Sequence, residues 1–448
     1  MKKRINLIPL LIAILLFCIL LIFPVFESLP ASKALALLVL IAILWITEAL
    51  PLSLTALLIP IISVLLTLAN TQKSFSEFAN PIIFLFMGGF VLAGALTRHS
   101  LDKLLAQKLI KFAKGNFYWS AVLLMLATSF MACWVSNTSS TAMMIPLGLG
   151  ILSLVKKDSV SPESKFLILG IAYSANIGGV ITMTATPPNA IGAAILGLSF
   201  SEWLKYSLPV FLFTFPTMVI ILTAYFKPDK KMIIGEMMIY KENNSPNKTL
   251  AFIFGITIIL WMMDGALSRW FSFNGSFNSL VAIFAIFLVF ITGVLTWDEI
   301  KKSIQWDILL LFGGGLSLGM IIESSGLGAL LINQITFLIS VIPLFIFIWL
   351  VVIFSIVLTE FMSNTASAAL ILPLLFTMAN QLEINPMILV LPATIAASFG
   401  FMLPMGTPPN AMVYATGLIP QKDMLKVGLR LNIISSIILT TFFYFLFK

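Results

Sequence analysis

The chain has 448 residues, 60% of them hydrophobic and 10% charged, with a mean hydropathy of +1.08, where a soluble domain carries about 25% charged residues. That balance excludes a water-soluble protein, and runs such as Leu10 to Val25, Val281 to Ile291 and Phe345 to Leu358 hold no charge to turn toward water, so the chain is polytopic in a membrane. The +8 formal charge is spread over the ends of apolar spans, which assigns it to a membrane surface and not to nucleic acid, and Cys18 and Cys133 lie in apolar stretches that point to neither a disulfide framework nor a metal site.

In chain order, Lys2, Lys3 and Arg4 lead into a first span from about Leu7 to Phe23. Phe23-Pro24-Val25-Phe26 makes a poor cleavage region, so this span reads as a membrane helix and not as a removed leader. Spans follow at Leu35–Ile46, short for a full crossing, at Leu52–Leu68 and at Ile82–Leu96, the last with Gly88, Gly89 and Gly94 for close helix approach. Arg98, Lys103, Lys108, Lys111 and Lys114, interleaved with leucines, read as an interfacial amphipathic helix or a solvated loop end, with His99 at the interface.

Trp119 to Leu154 fits a hairpin at least as well as one long helix, with Ser136-Asn137-Thr138 at the tip and Trp134 as a wall beside it. A span from Lys165 meets Asn176, Gly178-Gly179, Thr182 and Thr186-Pro187-Pro188-Asn189, where the prolines should break it. Such irregular backbone is tolerable in a bilayer only inside protein or along a water-filled cavity. Further spans are expected at Leu208–Tyr225, Leu250–Met263, Leu280–Val294 and Ile308–Ile322. A second hairpin runs from Val341 to Ala379, a span from Met387 to Leu403 ends at Thr407-Pro408-Pro409-Asn410, and the last span is Leu431–Leu446.

The chain is duplicated. Ser136-Asn137-Thr138 recurs as Ser363-Asn364-Thr365 at an offset of 227 residues, Thr186-Pro187-Pro188-Asn189 as Thr407-Pro408-Pro409-Asn410 at 221, and Ile82–Gly89 matches Ile308–Gly315 at 226. The predicted fold is all-α and polytopic, with eleven transmembrane helices and two re-entrant hairpins. Its parts are an N-terminal helix (1–30), a first unit (31–226, hairpin 115–155, broken helix 165–190), a cytoplasmic linker (227–248) and a second unit (249–448, hairpin 341–379, broken helix 387–413). With the N-terminus cytoplasmic and the C-terminus outside the cell membrane, 21 of the 26 basic residues fall on inward ends and five on outward ends. Each unit contributes an odd number of spans, so the second is inverted relative to the first and the two tips meet from opposite sides.

Asn137 and Asn364 offer an amide oxygen to a cation and an amide hydrogen to an anion, while the neighbouring hydroxyls orient either way. A helix broken at a tip adds free N–H groups, which attract anions, and free carbonyls, which coordinate cations such as sodium. Neutral groups bind weakly enough for a carrier to release its cargo. Glu360, in the second hairpin, would be costly as an acid at the bilayer centre and is expected to be ion-paired, protonated or beside a cavity. No HExxH, GxSxG or Walker A pattern and no histidine cluster occurs, so neither an enzyme nor a cofactor is expected. A doubled broken helix favours alternating access over an open channel.

These motifs, over nearly the whole chain, resemble the divalent anion:sodium symporter family, which includes bacterial sodium-coupled dicarboxylate transporters. The resemblance implies a homodimeric elevator carrier for succinate, malate, fumarate or a related anion, driven by sodium. It places one sodium site at Ser136, Asn137 and backbone near Ala185, and a second at Thr359, Asn364 and backbone near Gly406. It gives the substrate carboxylates to Asn137, Thr138 and Thr186 on one side and to Asn364, Thr365 and Thr407 on the other. Two departures, Ala132 where relatives carry serine and Ala185 where glycine is common, leave proton coupling or exchange as the alternative to sodium symport.

Overall fold

The computed structural model describes residues 7–99, 112–155, 160–234, 247–270, 276–331 and 342–447. These residues fold into helices, with an isolated antiparallel bridge between Asn116 and Ile233. The first part of the chain forms α1 (Leu7–Ile22), α2 (Leu29–Thr47), α3 (Leu52–Leu65), α4 (Thr71–Ser76) and α5 (Pro81–Arg98). Next come α6 (Phe117–Ala132), α7 (Asn137–Ser153), α8 (Pro162–Gly178), α9 (Pro187–Leu196) and α10 (Phe200–Phe226). The second part forms α11 (Lys248–Met262), α12 (Asp264–Trp270), α13 (Phe277–Ile291), α14 (Trp297–Ser303) and α15 (Trp306–Ser324). It closes with α16 (Leu344–Phe361), α17 (Asn364–Gln381), α18 (Met387–Ala396), α19 (Pro408–Ala415) and α20 (Gln421–Phe447).

The molecule is apolar outside and partly polar inside, the reverse of a soluble protein. Leu212, Phe213 and Ile220 project from α10, while Thr128, Ser129, Ser174, Asn176 and Ser398 are fully buried. Among the described residues six helical stretches are long and apolar enough to cross a membrane: α2, α4–α5 together, α10, α15, α16 and α20. A seventh is obtained if α11 and α12, bent by 70°, make one span. The helices α1, α3, α6, α13 and α18 are apolar but only 10–17 residues long, and α6 falls in the first hairpin expected from the sequence.

Several boundaries differ from the sequence expectation for local reasons. The helix α2 begins at Leu29, with Pro30 in its first turn and the Ser32 hydroxyl exchanging hydrogen bonds with Phe26 N and O, both at 2.9 Å. A Ser199–Glu202 capping box starts α10 eight residues before the expected Leu208. The charged turn Gln421 to Arg430 is helical in α20, because Asp423 pairs with Lys165 Nζ at 2.8 Å and Arg430 lies over the Tyr225 ring at 5.0 Å. The expected amphipathic helix after Arg98 and most of the linker lie outside the described residues.

Contacts follow the duplication. Helix α6 packs on α8 as α16 packs on α18, and α7 on α8 as α17 on α18. Helix α5 packs on α13 while α15 packs on α3. A Cβ on Gly88 would lie 2.6 Å from Ala282 Cβ, and one on Gly314 2.5 Å from Ala56 Cβ, so each unit presents a glycine to an alanine of the other. The short helices cross over in the same manner, α9 onto α17 and α19 onto α7.

Candidate functional site

The two polar tips are helix starts. The first arm ends at Ala132, and Ser136 Oγ accepts Ser139 N (3.3 Å) to open α7 at Asn137. In the second unit Ser363 Oγ accepts Ala366 N (3.2 Å) and opens α17 at Asn364. A serine cap satisfies one of the free N–H groups of a first turn and leaves others for a ligand. Each tip thus presents an asparagine side chain at the positive end of a helix.

The two breaks are built alike. Helix α8 stops at Gly178 and α9 starts at Pro187; α18 stops at Ala396 and α19 starts at Pro408. Proline fits a first helical turn, where its missing N–H has no partner to lose. Asn189 Nδ2 donates to Gly179 O and Thr182 O, both at 2.8 Å, and Asn410 Nδ2 donates to Gly400 O (2.8 Å) and Leu403 O (3.0 Å). These are matching atoms at an offset of 221. Without them the unwound carbonyls would be buried and unpaired.

In the first half-site, Asn137 Nδ2 donates to Asn176 Oδ1 at 3.5 Å, while Asn137 Oδ1 is buried without a hydrogen-bond donor. That oxygen lies against Gly179, where a Cβ would overlap it. Ser136 and Ala185 line a cavity of about 420 Å³ that reaches Arg98, Glu299 and Lys302. At its far edge Arg98 Nε is 3.1 Å from Glu299 Oε1. The Thr296 backbone N–H first, and then Arg98, hold the Glu299 carboxyl down to about 2. Thr186 Oγ1 is buried without a partner, and Thr138 is exposed.

In the second half-site, Thr359 Oγ1 lies 2.7 Å from Asn364 Oδ1 and 2.6 Å from Ala397 O. Three oxygens converge there on a single hydroxyl hydrogen. Thr407 Oγ1 accepts from Asn410 N (3.3 Å) and from Asn176 Nδ2 (3.0 Å), which joins the second break to Asn137 through Asn176. Thr365 is half-buried, and no side-chain hydrogen bond among the described residues ties its hydroxyl or that of Thr138 to the rest. Thr186 likewise stands apart, so hydrogen bonds gather Asn137 with Thr407 and Thr359 with Asn364.

Three of the matched positions at which the units differ lie beside the tips and breaks. Thr359 corresponds to Ala132, Glu360 to Cys133 and Gly406 to Ala185. Glu360 is buried and accepts Met402 N (2.7 Å), Leu403 N (3.0 Å) and Asn432 Nδ2 (2.9 Å), with no basic partner among the described residues. A Cβ on Gly406 would lie 2.7 Å from Glu360 Oε2. A methyl there would press on the end of the Glu360 side chain and compete with its hydrogen bonds to Met402 N and Leu403 N. Neither Ala185 nor Gly406 is among the residues with left-handed backbone, so the methyl of Ala185 meets no conformational penalty.

Sequence reasoning did not assign Asn176, Asn189, Asn410 or Asn432 to the site. The second and third end the duplicated Thr-Pro-Pro-Asn motifs and carried a visible signal. Asn176 and Asn432 are single, with Ala397 and Phe211 at the matched positions, so comparing the units passes over them.

The family described as "CitMHS: Citrate transporter" matches residues 42–394 and 346–448. The sodium-dependent dicarboxylate transporter SdcS of Staphylococcus saprophyticus is 33% identical over 84% of this chain and 78% of its own length. This chain belongs to the divalent anion:sodium symporter family. An uncharacterized transporter of Haemophilus influenzae is 41% identical over 85% of this symporter-family chain and 84% of its own. The crystal structure of the YdaH transporter of Alcanivorax borkumensis superposes with a TM-score of 0.57 over 83% of this chain and 86% of that one, at 13% identity, a likeness of fold. The divalent anion:sodium symporter fold thus carries an integral membrane transporter here.

Proposed function

We propose that the chain is a secondary active transporter that imports C4-dicarboxylates such as succinate, malate and fumarate by symport with sodium. The observation that carries this reading is a pair of uncharged half-sites short of hydrogen. Asn137 Oδ1 has no donor, and Thr359, Asn364 and Ala397 offer three oxygens around one hydrogen. Converging oxygens without hydrogens suit a small cation, whose lost hydration they replace. In this reading Ser136, Asn137 and the Ala185 backbone hold one sodium, and Thr359, Asn364 and the Gly406 backbone hold another. The cargo carboxylates are bound by Asn137, Thr138 and Thr186 on one side and by Asn364, Thr365 and Thr407 on the other. The printed names of the citrate transporter family and of SdcS support a carboxylate cargo and sodium as the driving ion.

The two units act as inverted repeats in a homodimer, and the hairpins with the broken helices move as an elevator between inward- and outward-facing positions. The charge asymmetry of the span ends supports the inversion. A cavity bounded by α5, α14 and α15 on one side and by the first tip and α9 on the other supports the elevator, since it lies along the border the two parts would share.

Radiolabelled succinate uptake into proteoliposomes tests the reading. An inward sodium gradient should drive concentrative, saturable uptake, and a potassium or proton gradient alone should not. Uptake that needs internal dicarboxylate would establish exchange instead, uptake on a proton gradient alone would establish proton coupling, and unsaturable flux would establish a channel.

A further inference from the structure

We propose that Asn176, which no duplicated motif contains, is the positioning residue that commits Thr407 to donate its hydroxyl hydrogen to a cargo carboxylate and turns the Asn137 amide oxygen toward the cation. The proposal rests on the dicarboxylate–sodium reading above and concerns how its two halves are tied together.

Asn176 is 0% exposed and sits two residues before the end of α8, at the centre of the broken region. A buried amide must find partners for both its ends, and its orientation is fixed by theirs. Asn410 Nδ2 is occupied by Gly400 O (2.8 Å) and Leu403 O (3.0 Å), so Asn410 Oδ1 is the atom turned toward Asn176. Asn176 therefore faces two acceptors, Asn410 Oδ1 at 3.5 Å and Thr407 Oγ1 at 3.0 Å, with its Nδ2. A flipped amide would set oxygen against oxygen at Asn410, whose Oδ1 can only accept, and the Thr407 hydroxyl, able to give or take, follows the orientation that contact fixes.

Two consequences follow from that single orientation. Thr407 Oγ1 receives Asn176 Nδ2–H and Asn410 N–H, which fill both lone pairs of a hydroxyl and leave its own hydrogen as the only valence to offer. The hydrogen is then available to an anion and not to a cation. On the other side, Asn176 Oδ1 receives Asn137 Nδ2, so Asn137 Oδ1 is left on the Gly179 side, without a donor. A chain of amides thus runs from the carbonyls of one break, through Asn410 and Asn176, to the tip of the other unit.

The device is one-sided. Ala397 occupies the position that matches Asn176, and Thr186 Oγ1 has no partner among the described residues. The hydroxyl of Thr186 is uncommitted where that of Thr407 is committed, so the two ends of a symmetric dicarboxylate meet unlike partners.

The test is sodium-driven succinate uptake by the full-length protein in proteoliposomes, for wild type, Asn176→Ala, Asn176→Ser, Thr407→Val and the double variant Asn176→Ala/Thr407→Val. Serine keeps a polar group at this buried position and serves if the alanine variant does not reconstitute. The expected result is an apparent KM for succinate raised on the order of tenfold by Asn176→Ala, the scale of a lost hydrogen bond to a charged group. The double variant should show a KM no higher than Thr407→Val alone, because Asn176 acts on that contact through Thr407. The apparent KM for sodium should rise in both Asn176 variants. A change in maximal rate alone, wild-type KM values in both Asn176 variants, or effects that multiply in the double variant would overturn the proposal while leaving dicarboxylate transport intact. Wild-type protein that does not take up succinate would overturn the reading beneath it, and this proposal with it.

Discussion

Asn189 and Asn410 lie 221 residues apart and do the same work. Each side-chain amide donates to two carbonyls of the unwound segment before it, ten and seven residues upstream, at 2.8 and 2.8 Å in one unit and 2.8 and 3.0 Å in the other. Replacing either by alanine orphans two buried carbonyls, at about 1–3 kcal/mol each. Asn189→Ala and Asn410→Ala should each lower the melting temperature of the detergent-purified protein by several degrees and reduce succinate uptake. Unchanged melting in both would show that water replaces the amides.

Gly406 abuts a carboxylate. An added methyl 2.7 Å from Glu360 Oε2 forces Glu360 away from Met402 N and Leu403 N, which it holds at 2.7 and 3.0 Å. Gly406→Ala should cut uptake at least tenfold. Gly150→Ala, where an added Cβ meets nothing within 4 Å, should transport as wild type does. Comparing initial rates at equal reconstituted protein decides this.

At the cavity edge the Glu299 carboxyl is held well below the ordinary carboxylate range by the Thr296 backbone N–H first and by Arg98 next. Glu299 is lowered to about 2 from an ordinary 4.5, so it stays ionised until pH falls through about 2, and the stability this lends is complete above about 4.5 and is lost between there and about 2. The pH dependence of uptake between pH 5 and 8 should therefore keep its shape in Glu299→Gln. A shifted profile would mean that this carboxylate takes up a proton during transport.

Asn137→Ala and Asn364→Ala test the half-sites directly. Each should abolish concentrative succinate uptake while the protein still reaches the membrane at wild-type levels. Normal uptake in both, measured with membrane abundance on the same vesicles, would remove the physical basis of the transport reading.

The two tips and the two breaks were legible in the sequence, because they depend on local chemistry: Ser-Asn-Thr between apolar arms at Ser136 and Ser363, and paired prolines at Pro187 and Pro408. Helix lengths were less so. The last span was expected from Leu431, and the helix reaches back to Gln421 because Lys165, Tyr225 and Asp423 come together, partners set by packing across the chain. The site was legible where it is duplicated and hidden where it is not. Asn176, Asn432 and Thr359 each face a residue of another kind in the matching unit, and the asymmetry that makes them informative removes them from any search for repeats. The resemblance supplied Thr359, and the packing supplied the other two.

The short helices α9 and α19 hold 10 and 8 residues, about 15 and 12 Å of rod, while the hydrocarbon layer is about 30 Å thick. Neither could insulate one aqueous phase from the other unaided. The electrical seal must be shared, with α9 resting on α17 and α19 on α7, so each half of the chain plugs the leak that the other would leave.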